Sequence, residues 1–169
     1  MFRVMQSRQR GSHQLPPGRH GLSRQFVEDN QRQRILDAVA DVVSLVGYQA
    51  MSVEDVVTTA GVSRRTFYDH FGGKDDAFLT AYDVIGATLL AHVRAAYDAS
   101  KTFSEGVVAC LRAFLEGVAS EPQYADMCIV EALAAGPAAI ERRNAVMNAL
   151  RSFCARAPRW SPVGFAPRI

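Results

Sequence analysis

The stretch "SVEDVVTTAGVSRRTFYDHF", residues 52–71, decides the fold, because it contains a helix, a glycine turn and a second helix. Ser52 and Asp55 have the spacing of a capping box, and Gly61 has the place of a helix C-cap. Ser63 is a favourable cap for the second helix. Two short helices joined in this way hold the second at a steep angle, so that it can enter a major groove. The stretch therefore predicts a helix-turn-helix.

The second helix has two faces when its residues are placed at 100° intervals. Phe67 and Phe71, four residues apart, are predicted to point inward as anchors. The opposite arc holds Arg65, Thr66 and Asp69. Arginine can donate two hydrogen bonds to guanine, and the threonine methyl can contact the thymine methyl. Asp69 can accept a hydrogen bond from cytosine N4 or form an ion pair with Arg65. The alternative interpretation is an ordinary amphipathic helix with a solvated outer face.

Other polar side chains at this helix favour contact with phosphates. Arg64 and Tyr68 flank the outer arc on one side and His70 on the other. Tyrosine and histidine can donate to phosphate oxygens, which fix position without reading sequence. Lys74, at the start of the next helix, adds a cation beside free backbone N–H groups. Tyr68 also fits a plain core aromatic, and a surface arginine pair is often only solvated.

Outside this stretch the chain reads as helix, and no segment alternates as a strand does. Ile35, Val39, Val42, Val43 and Val46 share one face of a helix before it, which Gly47 is expected to stop. A helix of about 25 residues is expected from Lys74. Thr102 and Glu105 form another capping box, and Pro122 and Gly136-Pro137 divide the helices that follow. The fold class predicted is all-α.

Charge and composition limit the classes of partner. The 169 residues suffice for one moderate core or for a small domain joined to a larger one. Seven arginines against two acidic residues give residues 1–34 a formal charge of +5, which leaves −3 for the rest of a chain of +2. A basic leader before an acidic body suits an arm that meets phosphate, or a solvated tail.

Cysteine usage and hydropathy point to the cytoplasm. The three cysteines are scattered singly, which fits a reducing cytosol and small core residues rather than a metal site. The four histidines are too dispersed for a metal. No signal peptide or membrane span is visible, and no catalytic motif appears, so no cofactor and no enzyme activity are expected.

Residues 33–83, "QRILDAVADVVSLVGYQAMSVEDVVTTAGVSRRTFYDHFGGKDDAFLTAYD", resemble the DNA-binding domain of TetR/AcrR-family transcriptional regulators. The shared pattern is a helix, Gly-Tyr, a Ser-capped helix, Ala-Gly-Val-Ser, and an aromatic recognition helix ending before a lysine-led helix. The resemblance implies a three-helix DNA-binding domain followed by a helical ligand-binding and dimerisation bundle. It also implies a homodimer that regulates a promoter until a small ligand binds.

The resemblance also implies roles for particular residues. Arg64, Arg65 and Thr66 would face bases of double-stranded DNA at a palindromic operator. The residues expected to face phosphates are Thr58 or Thr59, Tyr68, His70 and Lys74. Arg19 and Arg24, in a stretch similar to the N-terminal extension of some members, would reach the backbone or the minor groove. The expected organisation is a basic arm (1–21), the DNA-binding domain (22–76), a helical regulatory domain (77–157) and an irregular tail (158–169).

Beyond residue 77 only the order of helices still matches the family. The family continues into two further apolar C-terminal helices that form its dimer interface, and here the chain stops after the helix ending near residue 157. A natural short form, a truncated gene product and dimerisation through other helices are three explanations.

A site for a small hydrophobic ligand is expected among the helices of residues 80–157. Its candidate lining residues are His92, Phe114, Tyr124, Met127 and Met147, each of which also fits plain core packing. The function predicted is a sequence-specific regulator, a repressor released by that ligand. The alternative is a helix-turn-helix protein with a curtailed bundle, no ligand response and no normal dimerisation.

Overall fold

The computed structural model describes residues 23–155, and all regular structure in that range is helical. In chain order the elements are α1 (Arg24–Ala50), α2 (Val53–Ala60), α3 (Arg64–His70), α4 (Lys74–Asp98), α5 (Phe103–Ser120), α6 (Pro122–Ala125), a π-helical segment (Asp126–Glu131), α7 (Ala132–Ala134) and α8 (Pro137–Ala155). The all-α prediction is confirmed. The predicted arm (1–21), the tail (158–169) and Arg19 lie outside the described residues.

The first helix begins earlier and ends later than the sequence pattern indicates. Ser23 caps it, since its hydroxyl accepts a hydrogen bond from the Phe26 N–H at 3.1 Å. Gly47 has φ 78° and ψ 160°, which lie outside the helical region, so the regular helix is interrupted where the sequence predicts its end, and another turn follows to Ala50. Only glycine adopts this φ at little cost. Val46, predicted on the buried face, is half-exposed because it precedes this kink.

One large hydrophobic core joins α1, α2, α3 and the first part of α4. We call it the main core, and its largest fully buried members include Ile35, Val39, Val43, Met51, Val56, Phe67, Phe78, Tyr82 and Met127. Each fully buried side chain of this size stabilises the fold by roughly 1.5–3 kcal/mol relative to exposure. The capped helices and this core together fix the position of α3.

A smaller core lies farther along the chain, between α4, α5 and α8. Val93, Cys110 and Ala113 are buried there, with Tyr97 and Phe153 packed at its edge. The rings of Tyr97 and Phe153 are 5.8 Å apart. We call this group the second cluster, and most of its members are only partly buried.

The π-helical segment and α7 join the later helices to α1. The Glu131 carboxylate accepts a hydrogen bond from the Tyr48 N–H at 2.7 Å, next to the kink at Gly47. Ser44 donates to the Asp126 carboxylate at 3.0 Å, and Gln49 donates to the Ala134 carbonyl at 2.7 Å. The C-terminal end of α1 is therefore held by polar contacts from a segment more than eighty residues away.

Candidate DNA-binding surface

Local capping sets the geometry of α2 and α3. Ser52 and Asp55 form the predicted capping box, each side chain accepting from the other's backbone N–H. Gly61 adopts the left-handed conformation, with φ 62°, which turns the chain after α2. The Ser63 hydroxyl accepts from the Thr66 N–H at 3.0 Å and begins α3. These contacts confirm the helix boundaries that the sequence predicts for this motif.

Arg34 of α1 fastens the turn between the two helices, a role that the sequence does not reveal. Its guanidinium donates to the carbonyl of Ala60 and, at 2.8 Å, to that of Gly61. These are carbonyls at the end of α2, which have no partner within the helix. Arg34 thereby ties α1 to the turn and fixes where α3 starts.

Aromatic side chains anchor α3 to the main core. Phe67 is fully buried, and its ring centroid lies 5.7 Å from that of Phe71, which is also buried. Both point inward, as the four-residue spacing predicts. Because α3 has only seven residues, this anchoring and the Ser63 cap hold it in place.

The opposite side of α3 is exposed and carries the arginines. Arg64, Arg65, Tyr68 and Asp69 are exposed, whereas Thr66 is partly buried. Within residues 23–155 no ion pair engages Arg65, so the alternative in which Asp69 pairs with it is not realised. Arg65 therefore presents its guanidinium outward from the first turn of α3.

Two of the other polar residues on α3 have partners on the protein. Arg64 lies 3.4 Å from the Glu54 carboxylate of α2, and its guanidinium sits 6.0 Å from the centre of the Tyr68 ring. Thr66 shares a hydrogen bond of 2.9 Å with the Ser63 hydroxyl. Both residues are held in place, and an exposed ion pair of this kind is weak enough to be exchanged for a DNA contact.

Lys74, which the sequence predicts to face phosphate, makes contacts inside the protein. Its ammonium lies 3.2 Å from the carbonyl of Met51 and 3.4 Å from those of Tyr48 and Gln49. It also lies 5.0 Å from the centre of the Tyr48 ring. Lys74 thus closes the C-terminal end of α1, where free carbonyls attract a cation.

The Tyr48 hydroxyl completes this junction by donating to the Asp75 carboxylate at 2.6 Å. Burial, followed by that hydrogen bond, raises the pKa of Tyr48 to about 12. The ring also packs edge-on against Phe78, with centroids 4.8 Å apart. The start of α4 is therefore fixed to α1 by charge, hydrogen bonding and ring packing together.

The same stretch matches a known family. Residues 35–81 match the family model described as "Bacterial regulatory proteins, tetR family". This part of the chain, which contains α2 and α3, is similar to the tetR family. It carries a helix-turn-helix of the DNA-binding type that this family uses in transcription regulation.

Two curated tetR-type relatives are similar over part of their length. The transcriptional activator FasR of Mycolicibacterium smegmatis is 24% identical over 68% of this chain and 52% of its own. The transcriptional regulator AlkX of Mycobacterium tuberculosis is 29% identical over 54% of this chain and 44% of its own. The chain thus spans about half the length of the curated relatives it matches.

Solved structures of tetR-type regulators share the fold. FadR of Bacillus subtilis, solved in complex with stearoyl-CoA, is 17% identical with a TM-score of 0.65, over 72% of this chain and 65% of that one. A tetR-family regulator from Marinobacter aquaeolei is 18% identical with a TM-score of 0.64, over 78% and 70% of the two chains. These likenesses establish the order of helices shared with the family.

The remaining residues predicted to contact DNA lie in different surroundings. Thr58 and Thr59 are exposed on α2, and His70 is partly buried with its ring 6.2 Å from that of Phe71. Arg24, predicted in an extended arm, lies in the first turn of α1 and forms an ion pair of 2.7 Å with Glu28. The hydrogen bond to Glu28 raises the pKa of Arg24.

The predicted ligand-lining residues are divided among several places in the structure. Met127 is buried in the main core and Tyr124 packs against it, whereas Phe114 packs in the second cluster. His92 lines an open groove between α4 and α5, and Met147 is partly buried on α8. The structure therefore brings Tyr124 and Met127 to one core but does not gather all five around one cavity.

Two properties of the described part of the chain concern other classes of function. Among residues 23–155 no three His, Cys, Asp or Glu side chains are grouped as a metal site requires. In that same part, every helix is too short or too polar to cross a membrane. The curated relatives are named as transcriptional regulators, and no enzyme activity is named for them.

Proposed function

We propose that this chain is a sequence-specific regulator that binds a palindromic operator through α3. The observation that carries the proposal is the exposed Arg65 on a short helix whose opposite face is anchored by the buried Phe67. A helix held in this way can enter the major groove as a rigid body, with its N-terminal residues at the base edges. Residues 22–76 act as the DNA-binding unit and residues 77–157 as the regulatory one.

In this proposal one set of residues contacts the DNA bases and another set contacts the phosphates. Arg64, Arg65 and Thr66 read bases, with Arg64 leaving Glu54 when DNA is bound. The residues that hold phosphates are Thr58 or Thr59, Tyr68, His70 and Lys74, assisted by Arg19 and Arg24. Tyr68 supports this division because it is exposed beside the arginines, although its ring is large and apolar.

The experiment selects binding sites from a pool of random duplexes and then compares variants on the selected site. Arg65→Ala is expected to lose roughly 1–3 kcal/mol of binding free energy and to relax preference at one base pair. Arg151→Ala, an exposed arginine on α8, is the matched control and retains full affinity. Equal weakening of Arg65→Ala on cognate and random DNA would contradict base reading.

The mode of regulation that we propose is repression, released by a small hydrophobic ligand in the cytoplasm. Its support is the fold shared with FadR of Bacillus subtilis, which was solved with stearoyl-CoA. The test adds a long-chain acyl-CoA to the operator complex and measures the fraction of DNA released. A promoter fusion then reports the sign of regulation, since the relative FasR is named an activator.

A second candidate is a DNA-binding protein of the same type without ligand response. It is favoured by the division of the five candidate lining residues between the main core, the second cluster and the groove. Operator binding that is unchanged by long-chain acyl-CoA and by shorter acyl-CoAs would support this candidate over ligand release.

A further inference from the structure

Glu54, in the first turn of α2, is an acidic side chain that reaches the start of α3. Its carboxylate lies 3.4 Å from the Arg64 guanidinium, and the two side chains are 66% and 60% exposed. The neighbouring Asp55 is engaged elsewhere, because its carboxylate accepts from the Ser52 N–H at 3.1 Å and from the Ser52 hydroxyl at 2.6 Å. Asp55 therefore caps α2, whereas Glu54 faces α3.

Arg64 lies between Glu54 and an aromatic ring. Its guanidinium is 6.0 Å from the centre of the Tyr68 ring, which is half-exposed. That ring packs edge-on against the ring of Phe67, with centroids 5.4 Å apart, and Phe67 is fully buried. Arg64 and the carboxylate beside it are thus positioned on the main core through two aromatic side chains.

The exchange of Arg64 from the protein to DNA changes the surroundings of Glu54. The first turn of a recognition helix is the part that meets the base edges. When Arg64 contacts a base there, the Glu54 carboxylate loses its cation while it faces the same groove. A carboxylate in such an interface is repelled by the phosphates, and losing its ion-pair partner without gaining a hydrogen-bond donor is costly. The carboxylate therefore requires a donor from the DNA.

The major groove offers a carboxylate one base that suits it. Cytosine presents its N4 amino group, whereas adenine presents its N6 amino group beside the N7 acceptor. The hydrogen-bond acceptors that guanine and thymine present in this groove do not suit a carboxylate. An ionised carboxylate has acceptors alone, so adenine N7 repels it as well. A free carboxylate at the base edges accordingly favours cytosine.

We propose that Glu54 is a specificity-determining residue, whose carboxylate accepts a hydrogen bond from cytosine N4 next to the base that Arg64 contacts. This inference rests on the proposed function, because it requires α3 in the major groove. The same carboxylate disfavours every sequence that lacks the cytosine, since it then faces DNA with no donor. Glu54 thus increases the discrimination between sequences more than it increases affinity.

The first experiment selects binding sites from random duplexes with wild-type protein, Glu54→Gln and Glu54→Ala. The side chain of Glu54 is exposed, so both variants are expected to fold. Wild-type protein should favour cytosine at one position of the half-site by about tenfold. Glu54→Gln should change that preference to adenine, because an amide can accept from N6 and donate to N7. Glu54→Ala should have no preference there.

Arg64→Ala, in the same selection, locates the cytosine relative to the base that Arg64 contacts. It should relax the preference at a neighbouring position and retain the cytosine. If Glu54→Ala and Arg64→Ala relax the same position, Glu54 acts only by holding Arg64 and the inference is overturned. It is also overturned if wild-type protein and both Glu54 variants select the same base at every position.

The second experiment measures binding to a duplex without the selected site. Glu54→Gln removes the repulsion between the carboxylate and the phosphates, and should bind this duplex about threefold more tightly at low salt. The gain should shrink as salt screens the charges. Glu116→Gln, at an exposed carboxylate on α5, is the matched control and should change binding little. An equal gain in both variants, or none in Glu54→Gln, would place the Glu54 carboxylate away from the DNA.

Arg65→Ala separates the failure of this inference from the failure of the proposed function. If Arg65→Ala weakens binding to the selected site while the Glu54 variants select the wild-type bases, only the role of Glu54 is lost. If wild-type protein selects no sequence from the pool, the proposed function itself fails.

Discussion

The helices that carry the DNA-binding surface and the helices that follow the middle of α4 are packed very differently. Around α1, α2 and α3 most of the large apolar side chains are buried in the main core, although Leu45 and Val46 of α1 are exposed, and Arg34 closes the turn with hydrogen bonds. In the second cluster, between α4, α5 and α8, the buried apolar side chains are the smaller Val93, Cys110 and Ala113, and Val108, Leu111 and Leu115 remain exposed on α5. The first region thus has a large core of fully buried side chains, whereas the second has a small core whose members are mostly only partly buried.

The difference fits the function that we propose for the first region. A short recognition helix reads DNA only if its position is fixed to a fraction of an ångström, and close packing provides that rigidity. A region that forms contacts with another molecule keeps part of its apolar surface for that contact. The two regions meet at the kink in α1, where Glu131 accepts from the Tyr48 N–H.

The largest expected effect tests the packing difference directly. Phe67→Ala removes a fully buried ring from the main core and is expected to cost roughly 3–5 kcal/mol of the free energy of unfolding. Phe114→Ala, in the second cluster, is the matched variant and should cost less, because its ring is only partly buried. Urea unfolding of the purified proteins measures both, and equal costs would contradict the comparison.

The next effect tests how the turn before α3 is held. Arg34→Met retains the aliphatic stem but removes the donors to Ala60 and Gly61, and is expected to cost roughly 1.5–3 kcal/mol. Arg32→Met is the control, because Arg32 is exposed and its guanidinium lies 5.5 Å from the centre of the Phe71 ring. That contact is worth about 0.5–1 kcal/mol. If both variants unfold alike, the turn does not depend on Arg34.

The elements predicted correctly from sequence are those governed by residues within one helical turn of each other. The Ser52–Asp55 and Thr102–Glu105 capping boxes, the Ser63 cap and the start of α4 at Lys74 all depend on local hydrogen bonds. The inward direction of Phe67 likewise follows from helical periodicity. Interactions within one helical turn were therefore sufficient to predict the helix-turn-helix.

The features that the sequence did not predict depend on tertiary contacts. Arg34 meets the turn 26 residues away, and Glu131 meets Tyr48 across 83 residues. The π-helical segment replaces part of a helix that the pattern predicted as regular, and Gly47 kinks α1 beside that segment. In each case the local sequence permits more than one conformation, and a contact with a residue distant in the sequence stabilises the one observed.

The smallest expected effect concerns alkaline pH and compares a tyrosine inside the first region with one at its border. Tyr48 donates to Asp75, and Tyr82 donates to the Cys128 carbonyl at 3.2 Å. Burial is the largest cause that raises each hydroxyl's pKa from 10.0 to about 12. A pKa raised on folding gives stability that is complete below pH 10 and is lost as the pH rises towards 12.

Between those pH values the unfolded chain holds fewer protons than the folded one, so the free energy of unfolding falls. One such group lowers the free energy of unfolding by at most about 1.4 kcal/mol for each pH unit. Tyr48→Phe and Tyr82→Phe should each flatten the fall seen in urea unfolding at pH 9, 10 and 11, by similar amounts because the pKa values are similar. Burial also raises the pKa of the Cys128 thiol to about 12. The free energy of unfolding of the double variant should therefore still fall somewhat over this pH range. If Tyr82→Phe reduces the pH dependence of the free energy of unfolding and Tyr48→Phe does not, the Tyr48 hydroxyl is accessible to water. The Tyr82 hydroxyl, which donates to the Cys128 carbonyl, is then the one shielded from it.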